Sequence, residues 1–153
     1  MNKAAEHEIL SMVHSVFSQI PFNRVLGITI EELSVGSAHL KFQMRDELVG
    51  NFIRGTLHGG VISSALDVTG GLVAFSSLAE RLKKQSLEDQ IDRLSRMGTI
   101  DLRVDYLRPG VGSYFVATGY VLRTGSKVAV TRMELHNDEH LLVAVGTGAY
   151  VVV

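Results

Sequence analysis

The sequence, 153 residues long, contains no cysteine. That absence excludes a disulfide framework, a thiolate nucleophile and a cysteine metal site. It fits a reducing compartment, so a cytoplasmic protein is expected. Net charge is almost lacking too: 15 Lys and Arg against 16 Asp and Glu leave −1. Such a balance gives no electrostatic case for nucleic acid or an anionic membrane surface as a partner. Proline is confined to Pro21 and Pro109. Phosphate-cradling loops of the G-x-G-x-x-G or G-x-x-x-x-G-K-[ST] type are missing, as is a G-x-S-x-G nucleophile elbow. The first ten residues carry Lys3, Glu6, His7 and Glu8 and do not read as a secretory leader.

What is present is an ordinary globular composition, 46% apolar and 20% charged, enough for one domain with a substantial core. Residues 4–19 read as an amphipathic helix, with Ile9, Val13, Val16 and Phe17 at helical spacing and Pro21 marking its exit. Val25 to Leu33 reads as a strand. A turn at Ser34-Val35-Gly36 leads to a second strand, in which Ala38, Leu40, Phe42 and Met44 alternate with polar residues. Val49 to Leu57 reads as a loop. His58 to about Ala79 is uncharged apart from Asp67 and is expected as a buried helix rather than a membrane span, because serines, threonines and glycines interrupt it. Composition then turns charged from Glu80 to Arg96. Ser86 followed by Asp89 is a capping signature, so a second helix is expected to start near Leu87. Four more strands are expected over 99–106, 114–123, 127–136 and 141–152. Strand runs flanking one buried helix imply an α+β layer with an antiparallel sheet around that helix.

Chemistry concentrates in Thr56-Leu57-His58-Gly59-Gly60, which opens the apolar helix, and in Asp67, the one formal charge before Glu80. A lone carboxylate on a buried element is costly unless it is paired, hydrogen-bonded or used. The glycines free backbone N–H groups at the positive end of a helix. An acid plus such amides suits carbonyl chemistry. His58 and Asp67 are nine residues apart, which on one helix is roughly 13 Å, so both cannot reach one carbonyl from the same chain. His136, Asp138, Glu139 and His140 lie in a turn whose spacing does not converge on a metal, and no metal site is expected.

These residues resemble the hotdog-fold acyl-CoA thioesterases of the phenylacetate-degradation type. The corner shares in the likeness with Thr99 to Pro109, a strand ending in a tyrosine and a basic-proline turn, and with Val121 to Ala129, a basic residue and glycine before an apolar strand. The resemblance covers roughly residues 20–150 of one hotdog domain spanning 1–153, with an N-terminal helix in 1–20 and a charged helical insertion over 80–97. It implies an antiparallel β-sheet wrapped around a long central helix, a homodimer or homotetramer, and hydrolysis of acyl-CoA thioesters to acid and coenzyme A with no cofactor. It also implies roles. Asp67 would be general base or nucleophile. The Gly59 N–H would polarise the thioester carbonyl across a subunit interface, with His58 orienting the corner. Asn51 would help to polarise the carbonyl, and the Thr99 hydroxyl would assist the attacking water. Gly60, Asp101, Tyr106, Arg108, Arg123, Thr124, Gly125, Ser126, Lys127 and Val128 would contact coenzyme A. A hotdog hydratase or dehydratase and a non-catalytic acyl-CoA-sensing module are the alternatives. Finally, the stripe Leu87, Ile91 and Leu94 must pack on something, and a cover over the acyl end of the pocket is expected.

Overall fold

The computed structural model describes residues 3–153, the side chains of residues 3–5 and of Leu87 excepted. The first helix, α1 (Lys3–Gln19), buries Ile9, Val13 and Phe17 along one face. Pro21 does not end the helical region. It occupies the first position of a short second helix, α2 (Pro21–Leu26), after a one-residue break at Ile20. Proline is well suited to that position, since the N–H it lacks has no intrahelical partner there. The strand expected from Val25 therefore starts later, as β1 (Thr29–Ser34), because Val25 and Leu26 complete α2. It pairs with β2 (Ser37–Gln43) across the turn at Gly36.

The segment expected as a loop holds a short 3-10 turn (Asp46–Leu48) and a small hairpin, β3 (Val49–Asn51) with β4 (Thr56–Leu57). The hairpin delivers the chain to the central helix, α3 (Gly59–Leu82). Helix α4 (Leu87–Ser95) starts where Ser86 and Asp89 indicated: Ser86 Oγ accepts from the Asp89 N–H at 3.2 Å and donates to Asp89 Oδ2 at 2.6 Å. Four long strands follow, β5 (Gly98–Tyr106), β6 (Tyr114–Thr124), β7 (Val128–Asn137) and β8 (Leu142–Val151). Together with β1 and β2 they form one antiparallel sheet in the order β1-β2-β6-β7-β8-β5.

The sheet wraps around α3, as the alternating pattern and the family resemblance implied. Strands β6 and β7 bury every second residue, and Ala117, Met133 and Leu135 point at the helix side. Phe42 and Phe115 stack with ring centroids 5.4 Å apart at the core. By length and composition α3 could cross a membrane; here Ile62, Leu66, Val73 and Leu78 are buried in the protein core. Strand β5 closes one edge of the sheet and, among the described residues, lies beside β8 only. That edge places Thr99 next to Tyr150 in register, both over the second turn of α3.

Candidate active site

Asp67 lies two turns into α3, half-buried, at the level of the β5 edge. Thr99 on β5 donates its hydroxyl to Asp67 Oδ1 at 2.9 Å. Tyr150 on β8 donates to the same oxygen at 3.2 Å and lies 3.1 Å from the Asp67 carbonyl oxygen. Two hydroxyls from neighbouring strands thus fix one oxygen of the carboxylate. Oδ2 accepts no hydrogen bond among the described residues, which leaves it for an incoming molecule.

Tyr150 is the residue that sequence reasoning missed. It is only 2% exposed. Burial, then the adjacent charge of Asp67, holds its hydroxyl far above the ordinary phenol range, so it serves as a donor at any working pH. Gly70 makes room for it. A Cβ at Gly70 would sit 2.2 Å from Tyr150 Oη and 2.8 Å from Thr131 Oγ1. The signal was in the sequence: a glycine inside an apolar helix, where it costs about 1 kcal/mol relative to alanine, marks a close approach by something bulky.

The corner has a different design. His58 caps α3, its Nδ1 accepting from the Gly60 N–H at 2.8 Å. Of the two amides that the corner was expected to free, that of Gly60 is therefore occupied. The Gly59 N–H, first in the helix, has no partner among the described residues and lies at the positive end of the helix dipole. Tyr106 donates its hydroxyl to the Gly59 carbonyl oxygen at 3.1 Å, which fixes the peptide after that amide. His58 is thus engaged in holding the corner.

Asn51, expected to help polarise the carbonyl, lies in the β3–β4 hairpin. Its Oδ1 accepts from the N–H groups of Ile53 and Arg54, at 3.1 and 3.2 Å, and closes the tip of the β3–β4 hairpin. The tip itself is open, with Phe52 at 88% and Ile53 at 83% exposure.

The residues expected to contact coenzyme A separate into two groups that one chain does not bring together. Tyr106 and Arg108 belong to the α3 N-terminus, Arg108 donating to the Leu142 carbonyl oxygen at 2.8 Å. Thr124 to Val128 is tied to the other end of α3: Ser77 Oγ and Thr124 Oγ1 lie 2.8 Å apart, and Arg81 donates to the Gly125 carbonyl oxygen. Gly59 and Ser77 are 18 helix positions apart, on the order of 27 Å. Arg123, Ser126 and Lys127 are exposed at that far turn, and Asp101 is exposed on the outer edge of β5, just past a bulge.

Comparison with known proteins identifies the family and the fold. A profile of the thioesterase superfamily matches residues 54–144. The chain is 50% identical over 146 residues to the medium/long-chain acyl-CoA thioesterase YigI of Escherichia coli K12, covering 95% of this chain and 94% of that protein. A crystal structure from Shewanella oneidensis, described as related to the thioesterase superfamily, is 44% identical with a TM-score of 0.90 over 97% of each chain. The Escherichia coli PaaI protein of the phenylacetic acid degradation operon is 21% identical with a TM-score of 0.78 over 97% of this chain and 95% of that one, a likeness of fold alone.

Proposed function

The chain belongs to the thioesterase superfamily, and from that premise we propose that it hydrolyses acyl-CoA thioesters to the free acid and coenzyme A. The observation that carries the reading is the half-buried Asp67, held through Oδ1 by Thr99 and Tyr150 with Oδ2 left open. In this reading, Oδ2 takes a proton from water as the water oxygen attacks the thioester carbon, or attacks that carbon itself to form an acyl–aspartyl anhydride that water then cleaves. Either route places negative charge on the carbonyl oxygen in the tetrahedral intermediate. Collapse breaks the C–S bond and expels the thiolate of coenzyme A, which takes up a proton. The Gly59 N–H is the donor for the oxyanion, and acid and amide suffice without a metal or other cofactor.

The two groups belong to different copies. Gly59 and Asp67 are eight positions apart on α3, about 12 Å, too far to serve one carbonyl. A homodimer, or a homotetramer built of two such dimers, unites the acid of one chain with the corner of another. Strand β5 supports this: its nine residues present an unpaired outer edge, and Ile100 on it is 54% exposed. Long open edges invite pairing with another strand. A shared site also joins the two separated groups of expected coenzyme A contacts, with Tyr106 and Arg108 from one copy and the Arg123–Val128 turn from its partner. The lack of cysteine fits a reducing compartment, and this reading takes the cytoplasm as the setting.

Release of free thiol from a panel of acyl-CoA thioesters tests the reading. Asp67→Asn is expected to fold and to lose roughly 100- to 10,000-fold in turnover. Turnover within a few-fold of the parent protein removes Asp67 from the chemistry. Saturable binding with no thiol release by the parent protein makes it a sensor instead. Label in the Asp67 carboxylate after single turnover in ¹⁸O-water establishes the anhydride route, because water cleaving the anhydride at the aspartyl carbon is the one way it enters there.

A further inference from the structure

We infer that the apolar cavity beside Asp67 is the seat of the acyl tail, and that α1, α2 and α4 set the length of tail it takes. The inference rests on the proposed role of Asp67. The cavity measures about 360 Å³ and lies between α1, α2, α3 and α4, within the usual size of small-molecule sites. Its lining starts one residue from the acid. Val68 follows Asp67 in sequence, Gly71 lies one turn further on the same face of α3, and Met97 stands two residues before Thr99; all three line the space. It runs along α3 to Phe75, with Leu94 of α4 on one wall and Val16 of α1 on another. Asn23 is the one polar side chain in the lining, and its amide donates to the Phe17 carbonyl oxygen at 3.1 Å. Its amide nitrogen is thus already committed to the backbone. The chemistry that fits is an unbranched hydrocarbon chain.

The dimension follows from the helix. Phe75 stands eight positions beyond Asp67, about 12 Å along the axis. At about 1.3 Å of advance per tetrahedral carbon–carbon bond, from a single-bond length near 1.52 Å, roughly nine carbons beyond the carbonyl fill that span. Gly71 keeps the entrance wide: a Cβ there meets only the Tyr150 ring, at 3.6 and 4.0 Å. A larger side chain at this position narrows the passage without disturbing the backbone. At the opposite wall Val16 is 41% exposed, so enlarging it intrudes on the cavity from the surface with little risk to the core.

The test uses binding, so that it stands apart from turnover. Non-hydrolysable alkyl thioethers of coenzyme A, from about four to about fourteen carbons, are titrated into the full-length Asp67→Asn protein. Affinity is expected to rise about fourfold per methylene up to roughly ten carbons and then level off. Val16→Phe and Gly71→Leu should end the rise earlier, lowering the ten-to-four-carbon affinity ratio by at least about tenfold, while Phe75→Ala should extend it. An unaltered profile in folded variants overturns the inference even if hydrolysis by Asp67 is upheld. A correct ladder in a protein that hydrolyses nothing upholds the cavity and removes the proposed function. A flat ladder, with Val16→Phe changing the sedimentation behaviour instead, gives the exposed rim of Val16, Ile20 and Phe22 to a second copy and overturns the inference.

Discussion

Thr99 and Tyr150 face each other across the β5–β8 pair, and both hydroxyls donate to the same oxygen of Asp67. One comes from an edge strand and the other from a strand inside the sheet, so the carboxylate is oriented by the sheet and not by its own helix. Val68, which follows Asp67 on α3, and Gly71, one turn further on, line the apolar cavity.

Tyr150→Phe removes one of the two hydroxyls and keeps the ring. Hydrogen bonds to charged groups contribute about 1.5–3 kcal/mol, so denaturant titration should show a loss in that range. A reoriented carboxylate should lower turnover by about tenfold to a hundredfold, since small misplacements at a reacting centre are costly. Unchanged thiol-release kinetics in the folded variant would assign Tyr150 to packing alone.

The pH dependence of stability carries the same signature. Burial and the charge of Asp67 raise the Tyr150 pKa in the folded protein above its unfolded value. Below an unfolded tyrosine pKa of about 10 both states keep the proton, and the full contribution is present. Above it the unfolded chain loses its proton while the folded one retains it, so stability falls as pH rises. The parent protein should therefore lose stability above about pH 10 more steeply than Tyr150→Phe. Parallel curves from denaturant titrations between neutral and strongly alkaline pH would contradict this.

Adjacent glycines should respond in opposite ways. A Cβ at Gly70 collides with Tyr150 and Thr131, whereas one at Gly71 makes ordinary contact. Gly70→Ala should cost about 1–3 kcal/mol by overpacking and displace the tyrosine. Gly71→Ala should be neutral or gain up to about 1 kcal/mol of helix propensity. Equal thermal midpoints for the two variants would refute the tight seat at Gly70.

Much of this was legible in the sequence because local rules and tertiary packing agree. Period-two alternation marked β2 and β5, turn residues separated the last three strands, the Ser86–Asp89 pair marked the start of α4, and Asp67 stood out as the only charge on the apolar stretch of α3 before Glu80. Where position in space decides, the sequence was silent. Tyr150 meets Asp67 across 83 residues; Gly70 signals a close neighbour, but no local pattern says which residue it is. Pro21 reads equally as a stop or as a first helical residue, and only packing chose the second. Of the stripe expected to cover the pocket, Leu94 is buried against the cavity but Ile91 is 58% exposed, because a nine-residue helix turns only one narrow strip inward; the Leu87 side chain lies outside the described residues. The coenzyme A contacts were grouped by sequence motif, yet the length of α3 separates them in one chain.

A complementation experiment tests the shared site most directly. Gly59→Pro removes the proposed oxyanion donor at the first helical position, where proline is tolerated. His58 before it already has φ −66° and ψ 136°, the extended conformation a following proline requires. Gly59→Pro and Asp67→Asn should each be nearly inactive alone. In a mixed dimer one site unites the intact Asp67 of one chain with the intact Gly59 of the other. Co-refolding equal amounts should then restore about one quarter of parent turnover, since about half the dimers are mixed and each holds one good site. Activity no greater than the average of the two separate variants would contradict a site built from two chains.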